Sequence, residues 1–243
     1  YERIMIKLFV CGISGRLGAS IVDEVKKSSN ISLAGGLVSG RDNSSNINVS
    51  LQGVQIISDL NDLTDADVVI DCSTSLDLIK IKEKCELIGA SLIVASTGKG
   101  DFREIFNNKS LSIPVLAAPN LSIGITFLSN LLNYVSENKL SLKRINIEET
   151  HHNKKIDTPS GTALMLKKEL IELFNVDEIE IISNRDESSV GTHKINIYLE
   201  DEILSLEHKA LDRKAFALGA LNLIEWIHRK SPGIYSVQDA LNN

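Results

Sequence analysis

The chain has 243 residues, enough for one large domain or two small ones. Hydrophobic residues make up 43% and charged residues 24%, which is typical of a soluble globular protein. A formal net charge of −6 argues against nucleic acid as the main partner, since phosphate binding requires a basic surface. No apolar run approaches the roughly 20 residues of a membrane-spanning helix, so no membrane partner is expected.

The three cysteines indicate a reducing compartment. Cys11, Cys72 and Cys85 show neither metal-ligand nor CxxC spacing, and their number is odd, so reduced thiols in the cytoplasm are expected. Cys11 and Cys72 each end an apolar run and are predicted to lie in the core. Met5 is followed directly by a predicted strand, so no signal peptide is expected.

The first half alternates short apolar runs with amphipathic stretches. The apolar runs predict strands at 6–11, 31–38, 54–57, 67–72, 91–96 and 113–117. The amphipathic stretches predict helices at 17–28 and 75–88. Continuous apolar strands separated by helices indicate a parallel sheet covered on both faces, which predicts a doubly wound α/β fold of Rossmann type.

The pattern changes after Asn120. Helices are predicted at 123–136, 160–174 and 214–229, with a charged strand at 142–150. Apolar and polar residues alternate in 193–200 and 203–209, which predicts strands with one buried face in an antiparallel or mixed sheet. The sequence therefore predicts a second α/β unit.

A glycine-rich turn follows the first predicted strand and opens the first helix. Its residues are Gly12, Ile13, Ser14, Gly15, Arg16, Leu17 and Gly18, a G-x-x-G-x-x-G variant of the dinucleotide fingerprint. Glycine lets the backbone approach a pyrophosphate, and the helix N-terminus offers N–H groups to it. The alternative is a plain strand-to-helix turn. The position in the first βαβ unit favours a nucleotide site.

The end of the second strand bears on which nicotinamide cofactor is used. An NAD-preferring site usually has an acidic residue there, but no carboxylate occurs before Asp42. Ser39 and Arg41 are candidates to hold a 2′-phosphate instead, since arginine suits phosphate contacts. We therefore predict that NADPH is used at least as well as NADH. The alternative is that Arg41 is only a solvated loop cation.

Later strand ends should border the same cofactor, because ligands of open parallel sheets bind beyond the carboxyl ends of the strands. Taken alone, each of these segments is also ordinary strand-to-loop sequence. The candidate cofactor-binding residues there are Ser73, Ala95, Ser96, Thr97, Ala118, Pro119, Asn120 and Leu121.

The segment from Glu149 to Ala163 concentrates groups suited to acid–base chemistry and anion binding. His151 and His152 titrate near neutrality, and Lys155 can hold an anion or donate a proton. Pro159 fits the start of a helix, where Ser160, Gly161 and Thr162 would present hydroxyl and N–H groups to a carboxylate. A metal is not expected, because adjacent histidines point apart and there is no HExxH motif or third ligand nearby. The alternative is a polar surface loop with incidental histidines.

These residues carry a family resemblance. The run from Glu149 to Ala163 resembles the E-x-H-H…K-x-D-x-P-S-G-T-A signature of dihydrodipicolinate reductases. Further matches follow the family's order along nearly the whole chain. They are Gly12–Gly18, Ser96-Thr97-Gly98, Ala118–Gly124, and His208-Lys209-Ala210 with Arg213, Phe216 and Gly219-Ala220.

The resemblance implies a Rossmann domain, residues 1–121 and 212–243, closed by the C-terminal helix. It implies a second domain, 122–211, which binds the substrate and forms a homotetramer through its sheet. The implied reaction is NADPH- or NADH-dependent reduction of 4-hydroxy-tetrahydrodipicolinate, a small dicarboxylate, with loss of water. This step belongs to lysine and diaminopimelate biosynthesis.

Matched to the signature, His151 is the implied proton donor or acceptor and Lys155 a proton donor. His152, Gly161 and Thr162 would bind substrate, and Ser160 would support a carboxylate. The chain departs from many relatives at Val38 and Ser39, where they have an acidic residue followed by arginine. That departure affects the cofactor preference.

Two rival functions remain open from the residues alone. Another small-acid dehydrogenase would explain the glycine turn but not the histidine–lysine segment. A nicotinamide-sensing domain without chemistry would need no clustered acid–base groups.

Overall fold

A seven-stranded parallel sheet forms the first of two structural units, which consists of Tyr1–Leu121 and Phe216–Asn243. The second unit is Ser122–Ala215. The computed structural model describes residues 5–38, 54–73, 76–96, 105–106, 111–138 and 141–241. Within these ranges no helix is long and apolar enough to cross a bilayer.

The strands of the first unit are β1 Ile6–Cys11, β2 Ile31–Leu37, β3 Gln55–Ile57, β4 Val68–Asp71, β5 Ser91–Val94, β6 Pro114–Ala117 and β11 Gly233–Ser236. Its helices are α1 Arg16–Val25, α2 Leu78–Ile88, most of α5 Lys214–Ile227, and α6 Val237–Leu241, with a short 3₁₀ helix at Leu60–Asp62. The strand order is β11-β6-β5-β4-β1-β2-β3, and every pairing is parallel.

The side chains of β1 point alternately to the two faces of the sheet, which shows why both faces are covered. Leu8 and Val10 pack in a core cluster with apolar residues of α1 and α5. Phe9 and Cys11 point the other way, into a cluster with α2. Since successive strand residues face opposite sides, a continuously apolar strand needs helices on both faces. The predicted doubly wound fold, with the C-terminal helix packed on it, is confirmed.

The cysteines differ in how deeply they lie. Cys11 is buried, as predicted, but Cys72 is only partly buried, because it follows the last residue of β4. Cys85 is buried on α2. Burial raises the pKa of Cys72 and of Cys85 to about 12, with smaller effects from nearby carboxylates, so both stay protonated thiols near neutral pH.

The second unit has four strands and two complete helices. They are α3 Ile123–Ser136, β7 Arg144–His152, α4 Gly161–Phe174, β8 Glu180–Asp186, β9 Gly191–Tyr198 and β10 Ile203–Ala210. The strand order is β10-β9-β7-β8. β9 runs antiparallel to both of its neighbours, whereas β8 runs parallel to β7. The prediction of a mixed sheet is confirmed, although the sequence analysis missed β8.

One face of this sheet changes from apolar to polar along its length. Ile145 and Ile147 of β7 pack against α3 and α4 together with Ile195 and Ile197 of β9. Because every second residue of a strand points to the same face, Glu149 and His151 of β7 and His193 of β9 lie further along this face. In the strand register Glu149 lies opposite His193, and His193 lies opposite His208 of β10.

Both helices begin with a serine at the polar end of this sheet face. The Oγ atoms of Ser122 and Ser160 accept hydrogen bonds from the N–H groups of Ile125 and Ala163, which caps α3 and α4. The helix predicted at 160–174 begins two residues after Pro159. Ser160 is the N-cap and Gly161 the first helical residue, because the serine hydroxyl provides the cap.

The glycine turn generates a steric prediction. A Cβ at Gly18 would overlap the carbonyl oxygen of Gly12 and lie 2.9 Å from Cα of Ile13. Backbone cannot move aside as a flexible side chain can, so Gly18→Ala should lower the free energy of unfolding by about 1–3 kcal/mol. We also expect weaker NADPH binding, measured by fluorescence titration.

Gly89→Ala is the matched control. Gly89 has φ +74° and nothing within 4 Å of its Cβ position. The substitution should cost about 1–2 kcal/mol of stability through backbone strain alone. NADPH affinity should stay at the wild-type value. Equal NADPH affinity in the Gly18 and Gly89 variants would contradict the steric account.

Candidate active site

The carboxyl ends of four parallel strands meet at one edge of the first sheet. Cys11 of β1 pairs with Asp71 of β4, Asp71 with Val94 of β5, and Val94 with Ala117 of β6. The residues that follow these four ends therefore leave the sheet side by side. This edge is where open parallel sheets bind ligands.

The glycine turn fits tightly against this edge. Gly12 has φ +79°, and a Cβ there would lie 3.1 Å from the backbone N of Ser73. The N–H of Gly12 donates to the carbonyl oxygen of Leu37, which fastens the turn to the end of β2. Gly15 is the N-cap residue of α1 and has no side chain to block the helix N-terminus. This geometry fits a pyrophosphate approaching the backbone.

Of the other predicted residues of the turn, some pack on the core and some are exposed. Ile13 is buried and Leu17 is partly buried, and both pack on the core. Ser14, Gly15 and Arg16 are exposed at the start of α1. The exposed backbone and side chains of Ser14 to Arg16 are therefore the groups that this turn offers to a cofactor.

A buried carboxylate joins two neighbouring strand ends. Asp71, which is fully buried, accepts hydrogen bonds from the N–H and Oγ of Ser73, at 2.9 and 2.6 Å. Its other oxygen accepts from Oγ of Ser96 at 2.9 Å. The hydroxyl hydrogens of both predicted cofactor residues are thus engaged within the protein.

The remaining predicted cofactor residues lie along the same edge. Ala95 and Ala118 are buried, and their N–H groups donate to the carbonyl oxygens of Asp71 and Val94. Leu121 is buried, Asn120 partly buried, and Pro119 exposed. Three further predicted residues lie outside the described part of the chain: Ser39, Arg41 and Thr97.

Glu149 is the central residue of the second unit's polar face. It is fully buried, and its Oε1 accepts hydrogen bonds from the N–H of Ser160 at 2.9 Å and the hydroxyl of Ser183 at 2.7 Å. Burial on its own would raise the pKa of this carboxyl. The hydrogen bonds from Ser160 and Ser183 outweigh burial, so the pKa lies below its ordinary value.

Two imidazoles approach the other oxygen of Glu149. His151 Nδ1 lies 3.5 Å and His193 Nε2 lies 3.8 Å from Oε2. The two rings meet edge to face, with centroids 5.1 Å apart. Burial lowers the pKa of both histidines, that of His193 to about 4. A hydrogen bond of 3.2 Å also joins His193 Nε2 to Ser160 Oγ.

The loop after β7 brings Lys155 to the same end of the sheet. Its Nζ lies 2.8 Å from Oδ2 of Asp157. Burial would raise the pKa of the Asp157 carboxyl, but hydrogen bonds with Lys155 and with the backbone, including that of Gly161, lower it. The guanidinium of Arg185 donates to the carbonyl oxygen of Asp157 at 2.9 Å and to the hydroxyl of Thr158.

The residues of the predicted anion cradle lie at the start of α4 in this unit. Ser160 is buried, and both its N–H and its Oγ are bonded within the protein, so its observed role is to fix the start of α4. Gly161 is exposed and Thr162 half-buried in the first turn of that helix. His152 is half-buried, and its carbonyl oxygen accepts from the N–H of Lys155.

Sequence reasoning missed three contributors to this site. His193, Ser183 and Arg185 come from strands β9 and β8 and reach it only through the sheet pairing. The argument that no third metal donor is near does not hold in three dimensions. Donor atoms of Glu149, His151 and His193 lie within 4.8 Å of one another. That no metal is bound stays a prediction.

Comparison with known proteins assigns both halves of the chain. Residues 6–121 match the family described as dihydrodipicolinate reductase, N-terminus, and residues 124–241 match the corresponding C-terminus. The chain belongs to the dihydrodipicolinate reductase family. The family resemblance predicted from the Glu149–Ala163 signature is therefore confirmed. The chain is an NAD(P)H-dependent oxidoreductase of lysine and diaminopimelate biosynthesis.

Relatives in this reductase family align over almost their full length. The 4-hydroxy-tetrahydrodipicolinate reductase of Citrifermentans bemidjiense is 30% identical, covering 98% of this chain and 99% of the relative. That of Sulfurimonas denitrificans is 31% identical with the same coverage. The dipicolinate-bound dihydrodipicolinate reductase of Paenisporosarcina sp. TG-14 matches with a TM-score of 0.80 and 20% identity, over 97% of this chain and 99% of that one. This structural match supports the fold.

The buried histidines generate a prediction for stability in this reductase. The pKa of His193 is about 4 in the folded chain against about 6.5 when unfolded, so the unfolded chain binds the extra proton between these values. The free energy of unfolding should therefore fall as pH drops from about 6.5 to 4, by up to about 1.4 kcal/mol per pH unit for one proton. His151 and His208, whose pKa values burial also lowers, add in the same direction.

The measurement is urea unfolding between pH 7 and 4.5. His193→Gln should flatten the decline, because the variant lacks this titrating group. Glu149 contributes in a lower range, since its lowered pKa costs stability only below its ordinary value of about 4.5. An unchanged pH slope in His193→Gln would show that this histidine does not titrate as described.

Proposed function

We propose that the chain reduces 4-hydroxy-tetrahydrodipicolinate with residues His151 and Lys155 as its proton-transferring groups. The balanced reaction consumes the substrate, NADPH or NADH and one proton, and releases tetrahydrodipicolinate, the oxidised cofactor and water. The bound cofactor supplies the hydride, that is, both electrons. The chain's own residues must therefore bind a dianion, deliver one proton and assist the loss of the hydroxyl group.

One observation carries this proposal. A single hydrogen bond, from Ser160 N–H to Glu149 Oε1 at 2.9 Å, ties the first turn of α4 to the strand that bears His151. The acid–base imidazole and the helix N-terminus are therefore held in one rigid group of side chains. A helix N-terminus favours anions, and a nearby imidazole can exchange a proton with the bound molecule.

Binding of a substrate carboxylate involves Lys155 and the start of α4. The Lys155 ammonium provides a point charge, and the first-turn residues Gly161 and Thr162 provide N–H groups directed along the helix axis. Asp157 occupies part of this space, since it pairs with Lys155 at 2.8 Å and is hydrogen bonded by Gly161. A substrate carboxylate therefore competes with Asp157 for the same positive groups. His152 is proposed as a further substrate contact.

Substrate charge prepares His151 to act as an acid. Burial lowers the pKa of His151 in the free protein, and the positive charges of Lys155 and Arg185 act in the same direction, although Glu149 opposes them. A bound dianion offsets those positive charges and raises the pKa again. Protonated His151 then accumulates when substrate is present.

The cofactor preference and the assembly are proposed on narrower grounds. NADPH is used at least as well as NADH, because Ser39 and Arg41 replace the acidic residue of an NAD site. We assign residues 1–121 and 212–243 to cofactor binding and residues 122–211 to substrate binding and oligomerisation. The homotetramer and the cytoplasmic location rest on family resemblance and cysteine usage.

The first test removes the proposed acid. The assay condenses pyruvate and aspartate semialdehyde with the synthase and follows NADPH consumption after adding this protein. His151→Gln should lower kcat by about 10²–10⁴-fold, the usual contribution of general acid–base catalysis, without changing the NADPH dissociation constant. Lys155→Ala should instead raise KM and lower kcat together, because the ammonium both binds and polarises the substrate. Full activity of His151→Gln would refute the assigned role.

The second test concerns Arg41. Arg41→Ala should raise KM for NADPH by about tenfold or more, as expected for losing a charged phosphate contact. KM for NADH should change far less, and it serves as the internal control because NADH has no 2′-phosphate. The measurement is initial rates with both cofactors. An unchanged KM for NADPH would assign Arg41 to the solvated surface.

A further inference from the structure

The polar face of the second unit contains three buried or half-buried imidazoles that are not equivalent. His193 Nε2 bonds Ser160 Oγ at 3.2 Å, and His208 Nε2 bonds Ser122 Oγ at 3.1 Å. Each of these histidines therefore braces the capping serine of a helix. Within the described residues, Nε2 of His151 makes no such bond. His151 is thus the imidazole whose outer nitrogen is left for another partner.

A glycine keeps that nitrogen accessible. Gly191 begins β9, and a Cβ built on it would lie 3.1 Å from His151 Nε2 and 3.3 Å from Cδ2. Any larger residue would push against the ring edge that carries Nε2. The main chain at Gly191 does not have a positive φ, so backbone conformation does not require a glycine there. The physical reason for a glycine at position 191 is the space that it leaves beside the imidazole of His151.

The inner nitrogen of His151 faces a carboxylate oxygen of Glu149. Its Nδ1 and the Oε2 of Glu149 are both buried, lie 3.5 Å apart, and have no hydrogen-bond partner among the described residues. A buried unpaired polar atom costs about 1–3 kcal/mol, so closing this gap satisfies two atoms at once. Catalytic hydrogen bonds are often long in free enzymes and shorten in the substrate complex.

We infer that Glu149 is a positioning residue for proton transfer: its Oε2 holds the Nδ1–H of His151 and leaves Nε2 to exchange a proton with the substrate. This inference rests on the proposed function and extends it to a residue that does not touch the substrate. Glu149 Oε1 is already fixed by Ser160 and Ser183, so the carboxylate cannot rotate away from His151. The arrangement follows the general pattern in which a third group orients a catalytic base or acid.

His193 does not compete effectively for the same oxygen. It lies slightly farther from Oε2, at 3.8 Å, and its Nε2 is already hydrogen bonded to Ser160. Burial also lowers the pKa of His193 to about 4, so this ring is neutral when an enzyme works near neutral pH. The N–H group that pairs with Glu149 Oε2 therefore belongs to His151.

The test is the pH dependence of kcat in Glu149→Gln. Glutamine keeps an oxygen for Ser160 and Ser183 but presents an amide donor to His151 in place of an anion. Loss of an adjacent opposite charge should lower the pKa of His151 in the substrate complex by about one unit or more. The high-pH decline of kcat should then begin about one pH unit lower. At pH 8 kcat should fall about tenfold, with little loss at low pH.

Two control substitutions, one at Glu149 and one at its neighbour Glu148, separate the effect of charge from the effect of packing. Glu149→Asp keeps the carboxylate, so its midpoint should shift less than that of Glu149→Gln. Glu148→Gln makes the same charge change one residue away on the opposite sheet face, where Glu148 accepts from Asn196 at 2.7 Å. Its midpoint should equal that of the wild type. A loss of kcat in Glu149→Gln by one factor at every pH would show a merely structural role and overturn the inference.

Gly191→Ala provides a second route if Glu149→Gln does not fold. Crowding of Nε2 should lower kcat while leaving the pH midpoint and NADPH binding unchanged. Wild-type kcat in folded Gly191→Ala would contradict the role of Nε2. All assays are run with and without EDTA. Loss of activity in EDTA would indicate that Glu149, His151 and His193 hold a metal, which would also overturn the inference.

Different results would refute the proposed function and the positioning role of Glu149. If wild-type protein consumes no NADPH in the coupled assay, the proposed function fails. If wild type is active and His151→Gln is impaired, but Glu149→Gln keeps the wild-type midpoint, only the positioning role fails.

Discussion

One buried carboxylate organises the polar face of the second unit of this reductase. Glu149 lies on the sheet face covered by α3 and α4, where an isolated charge would be costly, and hydrogen bonds from Ser160 and Ser183 offset that cost. The same side chain faces His151 and fastens the first turn of α4. In the proposed function, acid–base chemistry and carboxylate binding therefore depend on one set of contacts rather than on two separate sites.

In the first unit, the proposed cofactor site relies on steric fit more than on charge. Gly12 and Gly18 lie so close to neighbouring backbone that no side chain fits, and buried Asp71 joins the adjacent strand ends through Ser73 and Ser96. In the proposed function, both units nevertheless use the same feature, a helix N-terminus that binds an anion. The proposed recognition of the dinucleotide phosphates and of the substrate carboxylate therefore needs no large net positive charge.

Sequence periodicity predicted much of this architecture. Continuous apolar strands indicated the parallel sheet, and the signature around His151 placed the proposed acid–base groups on one segment. The period of two also puts Glu149 and His151 on the face of Ile145 and Ile147, although the sequence analysis did not use it. His193 and Arg185 could not be found, because strand pairing rather than sequence proximity brings them to Glu149. β8 was missed since its half-exposed residues lack an apolar run.

Imidazole nitrogen NMR on the histidine-labelled protein tests the central claim most directly. The spectra of the five histidines are recorded from pH 5 to 9, with and without pyridine-2,6-dicarboxylate, and His151→Gln assigns the signal. The account predicts that His151 carries a proton on Nδ1 throughout, and that Nε2 titrates with a higher pKa when the dicarboxylate is bound. A neutral His151 protonated on Nε2, with Nδ1 bare toward Glu149, would contradict it.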